Sequence, residues 1–155
     1  MKAAEIAARR AARLAAVQAL YQMEVSGATT ADVLEDFRAG KLPRESDALY
    51  TEAEGDQELF KVLVEKAVER QATIDRAIAR RLNKGWRLER IDAVARAILR
   101  AGAAELEQRT DIPTAVVIDE YVEIAHAFFE GPEPSFVNAT LDACAKDLRE
   151  GLLGA

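Results

Sequence analysis

A chain of 155 residues with a 50% hydrophobic but only 6% aromatic composition can bury a real core as one domain or as two small subdomains. Cys144 is the sole cysteine and His126 the sole histidine, which excludes an internal disulfide and a Cys/His metal cluster within the chain and leaves Ser-His or Cys-His catalysis a single imidazole. The net charge of −6 argues against a general nucleic-acid coat protein, yet residues 76–100 set eight cations against Glu89 and Asp92 for a net +6, residues 1–25 carry +2, and residues 26–75 and 101–155 carry −6 and −8.

Alanine supplies much of the apolar content and is the strongest helix former, while strand-like alternation is nearly absent, so the expected class is all-α. A first helix is predicted over 3–25, ended by Ser26-Gly27. At 100° per residue, Arg10, Leu14, Val17 and Tyr21 share one stripe with Arg9, Arg13 and Leu20 beside it, so a face that seeks a core begins with arginines. A shorter helix follows over 30–38, with Thr30 as N-cap and Gly40 closing it, and then a polar connection runs over 41–55. Leu59, Leu63, Ala67, Ile74, Ile78 and Leu82 recur at helical spacing over 56–83, with a bend expected near Thr73. Lys84-Gly85 reads as a stop, with Trp86 packing in the junction.

The next helix is predicted over 88–109, where Ile91, Ala95, Ile98 and Gly102 form a stripe of small residues suited to close packing. Pro113 marks a helix start, and Val117, Ile118, Tyr121, Ile124, Ala125 and Phe128 form a wide buried face behind it. Gly131, Pro132 and Pro134 mark a loop before a last helix over 135–148, with Val137, Leu141, Cys144 and Leu148 at core spacing. The expected architecture is six or seven helices in two small packed bundles, an N-terminal subdomain 1–85 and a C-terminal subdomain 86–155.

Chemistry is hard to place on this frame. The eight glycines never cluster, so there is no phosphate-cradling loop and no dinucleotide fingerprint. Asp119 and Glu123 share a helix face, as a carboxylate pair would, and a solvated acidic face explains them equally; His126 falls late in its helix, where the macrodipole favours a solvent-facing cation. No catalytic residue, metal or cofactor is expected. The arginine-interrupted start does not read as a signal peptide, and no apolar run approaches the roughly 20 residues of a membrane span, so a soluble cytoplasmic protein is expected.

The arginines of the first helix have two readings. They are a solvated helix end whose stems lie over the core edge, or guanidinium groups presented to phosphates, with Gln18 and Tyr21 adding hydrogen bonding and stacking. The Arg80, Arg81, Lys84 and Arg87 cluster fits either account.

Three stretches in order, "ARRAARLAAVQALYQ", "ERIDAVARAILRAGAAELEQRTDIPTAVVIDEYVEIAHAF" and "SFVNATLD", resemble the NusB family of transcription antitermination factors. That resemblance implies an all-helical, non-catalytic RNA-binding protein that joins NusE, a small-subunit ribosomal protein doubling as a transcription factor. The pair would recognise the boxA element of ribosomal RNA leaders and join other Nus factors on elongating RNA polymerase. It implies an RNA surface at Arg9, Arg10 and Arg13, with Gln18 and Tyr21 in the string that follows, and at Phe136 and Asn138 near the start of the last helix, Val137 between them being core. Ser135 and Ala139 stand where relatives usually carry a lysine and a glycine, which removes one phosphate contact, and "ARRL" stands where many carry a Lys-Pro-Tyr-like string, so Arg80 and Arg81 replace an aromatic contact. Two alternatives remain: a NusB-like domain of a ribosomal RNA cytosine methyltransferase, whose catalytic α/β unit is absent from this chain, and a protein-binding helical module, including a homodimer that covers the arginine face.

Overall fold

The computed structural model describes residues 2–43, 55–82 and 87–149. Among them the chain is all-helical: α1 (Ala3–Ser26), α2 (Thr30–Arg38), α3 (Gln57–Glu69), α4 (Gln71–Ala79), a 3-10 turn (Leu88–Arg90), α5 (Ala93–Gln108), α6 (Thr114–Phe128) and α7 (Glu133–Arg149). The stop at Lys84-Gly85, the packing of Trp86 and the boundary at residue 85 lie outside the described residues.

Local chemistry sets the helix ends. Gly27, at φ 75°, takes the left-handed conformation that closes α1, its N–H donating to the Met23 carbonyl. Thr29, one residue before the expected cap, forms a capping box with Asp32 at the head of α2. Asp56 caps α3 through the Leu59 N–H. The break between α3 and α4 falls at Arg70 rather than Thr73. The helix predicted from residue 88 begins instead at Ala93, because Asp92 turns its carboxylate onto the Val94 and Ala95 N–H groups and leaves Leu88–Arg90 as a separate turn. Helix α7 starts two residues earlier than expected and takes Pro134 into its first turn, where a missing N–H costs nothing.

Two apolar clusters form the core, and α1 serves both. Ala12, Ala15, Ala16 and Ala19 face the smaller one, with Val33 and Phe37 of α2 and Leu59, Phe60, Leu63 and Val64 of α3; Phe37 and Phe60 stack with ring centroids 4.1 Å apart. Leu14 and Val17 face the larger one, built mainly from α4 to α7. Helix α4 belongs to that larger cluster through Ile74, Ala77 and Ile78, so packing crosses the division expected near residue 85. Gly102 lies at the meeting point of three helices, where an added Cβ would stand 2.9 Å from Leu141 Cδ1 and 3.3 Å from Tyr121 Cδ2. The small residue on this stripe is what lets α6 and α7 approach α5, as the spacing predicted.

Polar pairs fix how α1 lies on α5. Arg13 meets Glu105 near one end and Glu24 meets Arg96 near the other, which makes the two helices antiparallel. At the far end of α7, Arg149 donates to the carbonyls of Leu106, Arg109 and Ile112 and to Thr114 Oγ1, closing the connection between α5 and α6.

Candidate RNA-binding surface

Helix α1 outruns the core. Residues 3–6 and Arg10 are exposed, residues 7–9 are half-buried, and every residue from Ala11 to Ala19 is buried. At 1.5 Å per residue the segment 3–10 ahead of the buried run is about 12 Å long; it carries Arg9 and Arg10 and rests on the body where the Asp56 N–H donates to the Ala8 carbonyl. Arg10, with 63% of its side chain exposed, donates through Nε to both carboxylate oxygens of Glu120 on α6, at 3.1 and 3.2 Å. Arg9 makes no ion pair among the described residues, and its charge adds to the pull that lowers the Asp111 pKa.

Arg13 belongs to the interior. It is 3% exposed and grips Glu105 with two nitrogens, Nε at 2.9 Å and Nη2 at 2.7 Å, while the Tyr121 hydroxyl donates to the same carboxylate at 2.8 Å. Burial pulls the Arg13 pKa down, but the hydrogen bonds and charge of Glu105 outweigh it and leave the guanidinium more firmly protonated than usual. Burial, then the charge of Glu105, pushes the Tyr121 phenol well above its ordinary range, so it stays a neutral donor. The expectation that Arg13 faces RNA is therefore corrected: three residues beyond Arg10 the helix has entered the core, and the guanidinium is consumed by a carboxylate 92 residues away in sequence.

Gln18 is likewise buried, at 6% exposure, and is not offered to solvent. Tyr21 and Phe136 are half-buried against the larger cluster, Asn138 is exposed, and Val137 is in the core as expected. Helix α5 packs on both α1 and α7, but Arg149 on the Leu106, Arg109 and Ile112 carbonyls sets the end of α7, rather than its start, beside the Glu105 end of α5 that Arg13 occupies, so Phe136 and Asn138 lie toward the other end of the helix pair.

Three of the eight cations in segment 76–100, Arg81, Arg96 and Arg100, are taken up by internal partners, while Arg76, Arg80, Arg87 and Arg90 stay exposed. Arg96 and Arg100 turn inward to Glu24 and Asp75, with Arg100 holding Asp75 at 2.9 Å through two nitrogens, and Arg96 also donates to the Leu88 and Ile91 carbonyls. Arg81, with a third of its side chain exposed, pairs with the buried Asp147 at 2.5 Å and so braces α4 against α7. Arg80 is exposed at the end of α4, and Arg87 is exposed beside Glu89. Asp119, Glu123 and His126 lie on the exposed face of α6, as expected of a solvated face.

One signal for the Arg13 pairing was present in the sequence. Arg13 falls next to the Leu14 and Val17 stripe and Glu105 continues the Ile98 and Gly102 stripe, so two opposite charges sit at core spacing on different helices. The clamp of Arg149 on the α5–α6 connection has no such signal, since its partners are backbone carbonyls.

The family model of the NusB family matches residues 10–146 of the chain. The chain belongs to the NusB family. It is 53% identical to the transcription antitermination protein NusB of Caulobacter vibrioides over 150 residues, 97% of this chain and 100% of that protein. The NusB of Maricaulis maris is 52% identical, over 91% of this chain and 88% of its own. Among solved structures, T. maritima NusB superposes with a TM-score of 0.71 at 32% identity, covering 90% of this chain and 91% of that one. A chain in a crystal structure described as a plectonemic RNA supercoil also reaches 0.71, at 28% identity over 88% of this chain and 93% of that one. NusB relatives are transcription antitermination factors, a non-enzymatic role. Among the described residues no helix is long and apolar enough to cross a membrane.

Proposed function

We propose that this protein binds boxA RNA of ribosomal RNA leaders together with NusE, and that the pair joins other Nus factors on RNA polymerase in the cytoplasm. Arg9 and Arg10 contact phosphates, Tyr21 and Phe136 present ring edges to bases, Asn138 adds hydrogen bonds, and Arg80 extends the track. Arg13 and Gln18, buried in α1, hold the helix that presents this surface, and Arg81, a third exposed, stands next to Arg80. The observation that carries the reading is the overhang of α1: two guanidinium groups lie ahead of the buried segment, with Arg10 63% exposed, where a phosphate can meet them in bidentate geometry. With a net charge of −6, the protein alone binds weakly and a basic partner supplies the remaining attraction.

The test is a gel shift of boxA RNA with the protein, with NusE and with both. The pair is expected to bind more tightly than either component, with affinity falling steeply as salt rises. A pair no tighter than NusE alone overturns the proposal in favour of a protein-binding module. Mass measured in solution with and without RNA reads the competing homodimer, since RNA that splits a dimer shares its surface.

A further inference from the structure

We propose that Glu120 is a positioning residue for RNA binding: it holds the Arg10 guanidinium by its Nε edge and leaves the two Nη groups aimed at a phosphate. This rests on the RNA role proposed for Arg10 and extends it to a residue of a different helix and of opposite charge, which a search for basic side chains passes over.

The geometry is specific. Both Glu120 oxygens accept from Nε, at 3.1 and 3.2 Å, and neither Nη1 nor Nη2 of Arg10 has a partner among the described residues. The exposure is lopsided, 63% for the arginine and 16% for the glutamate, as expected when the acid is the fixed member and the cation the presented one. The backbone under each partner is anchored: Tyr121, next to Glu120 on α6, ties its hydroxyl to Glu105, and Glu105 holds Arg13 one turn beyond Arg10 on α1. Both ends of the exposed pair therefore hang from the same buried triad. An unsupported arginine at a helix overhang samples many rotamers, and a phosphate that binds it must freeze them; a carboxylate behind Nε has already done so. The alternative is that the carboxylate competes with phosphate for the same cation, and the two accounts differ in sign.

The experiment measures boxA RNA affinity of the NusE complex for the parent chain, Glu120→Ala, Arg10→Ala and the double variant, each across a salt series, with thermal melting to show that every variant is folded. Glu120→Ala is expected to weaken binding about two- to tenfold, the range that freezing one long side chain represents, and to leave the salt slope unchanged because the same phosphates are neutralised. Arg10→Ala is expected to weaken binding and lower the slope by about 1, and Glu120→Ala made on that background should do nothing more. Tighter or unchanged binding by Glu120→Ala, with Arg10→Ala still weakened, overturns the positioning role alone. An equal loss from Glu120→Ala with and without Arg10 overturns it too, because the glutamate then acts elsewhere. If Arg10→Ala binds like the parent, the RNA role of Arg10 falls, and this inference with it.

Discussion

Two arginines one turn apart on α1 have opposite fates. Arg13 is sealed between α1, α5 and α6 in an ion pair with Glu105 that the neutral Tyr121 hydroxyl also bonds, while Arg10 stands in water and touches its carboxylate along one edge. Burial decides the energetics of each. In the interior the pair cannot trade its hydrogen bonds for water, so losing one member strands a charge. At the surface the same chemistry is screened and adds little to stability, which leaves the guanidinium free for a ligand. Charge on α1 thus does two jobs: the inner cation fixes the helix and the outer one is shown to solvent by it.

The contrast can be broken most sharply at Glu105. Glu105→Ala should cost about 3–5 kcal/mol in urea denaturation, because Arg13 is left buried without its partner. Replacing the whole group together, Arg13→Met, Glu105→Leu and Tyr121→Phe, should return the chain to parental stability or above; if the triple variant is as weak as Glu105→Ala, the loss comes from packing rather than stranded charge. Tyr121→Phe alone should cost about 1.5–3 kcal/mol, since a donor to a charged acceptor is removed while the Arg13 fork remains. At the outer arginine the order reverses: Arg10→Glu should change stability by less than about 0.5 kcal/mol while lowering boxA RNA affinity by about tenfold or more as an attraction becomes a repulsion. A large shift of the melting temperature in that variant would erase the distinction between the two residues.

The smallest expected effect lies beside the same overhang. The Arg109 hydrogen bonds hold the Asp111 carboxyl at about 2 against an ordinary 3.8, and Arg70 lowers Glu107 in the same sense. Because these folded-state values lie below the ordinary ones, the contribution is full above about pH 4 and is lost as pH falls toward 2. An NMR titration of Asp111 should show its midpoint near 2 in the parent and nearer 3.8 in Arg109→Gln.

The sequence carried the helices because periodicity and caps are local. The extents of α1 and α2 and the core positions on α6 and α7 all follow from residues within a turn or two of one another. The start of α5 was hidden, because Ile91 keeps the apolar period running through a stretch that Asp92 breaks. Site residues divided along the same line. Arg9 and Arg10 lie ahead of the buried run, which the spacing of Leu14 and Val17 foreshadows. Whether Arg13, Arg81, Arg96 and Arg100 meet solvent depends on acids 66 to 92 residues away for three of them and 25 for the fourth, a pairing that a one-dimensional charge count cannot resolve.

The sharing of α1 between two cores ties recognition to cooperativity. Its alanine face packs on α2 and α3 and its Leu14 and Val17 face on the larger cluster, so loss of α1 removes a wall from both. Amide exchange along α1 should accordingly report one global opening from Ala11 to Ala19, with faster local fraying confined to the turns that carry Arg9 and Arg10. A ligand gripping those frayed turns would slow exchange there first, without needing to alter the opening of the shared helix behind them.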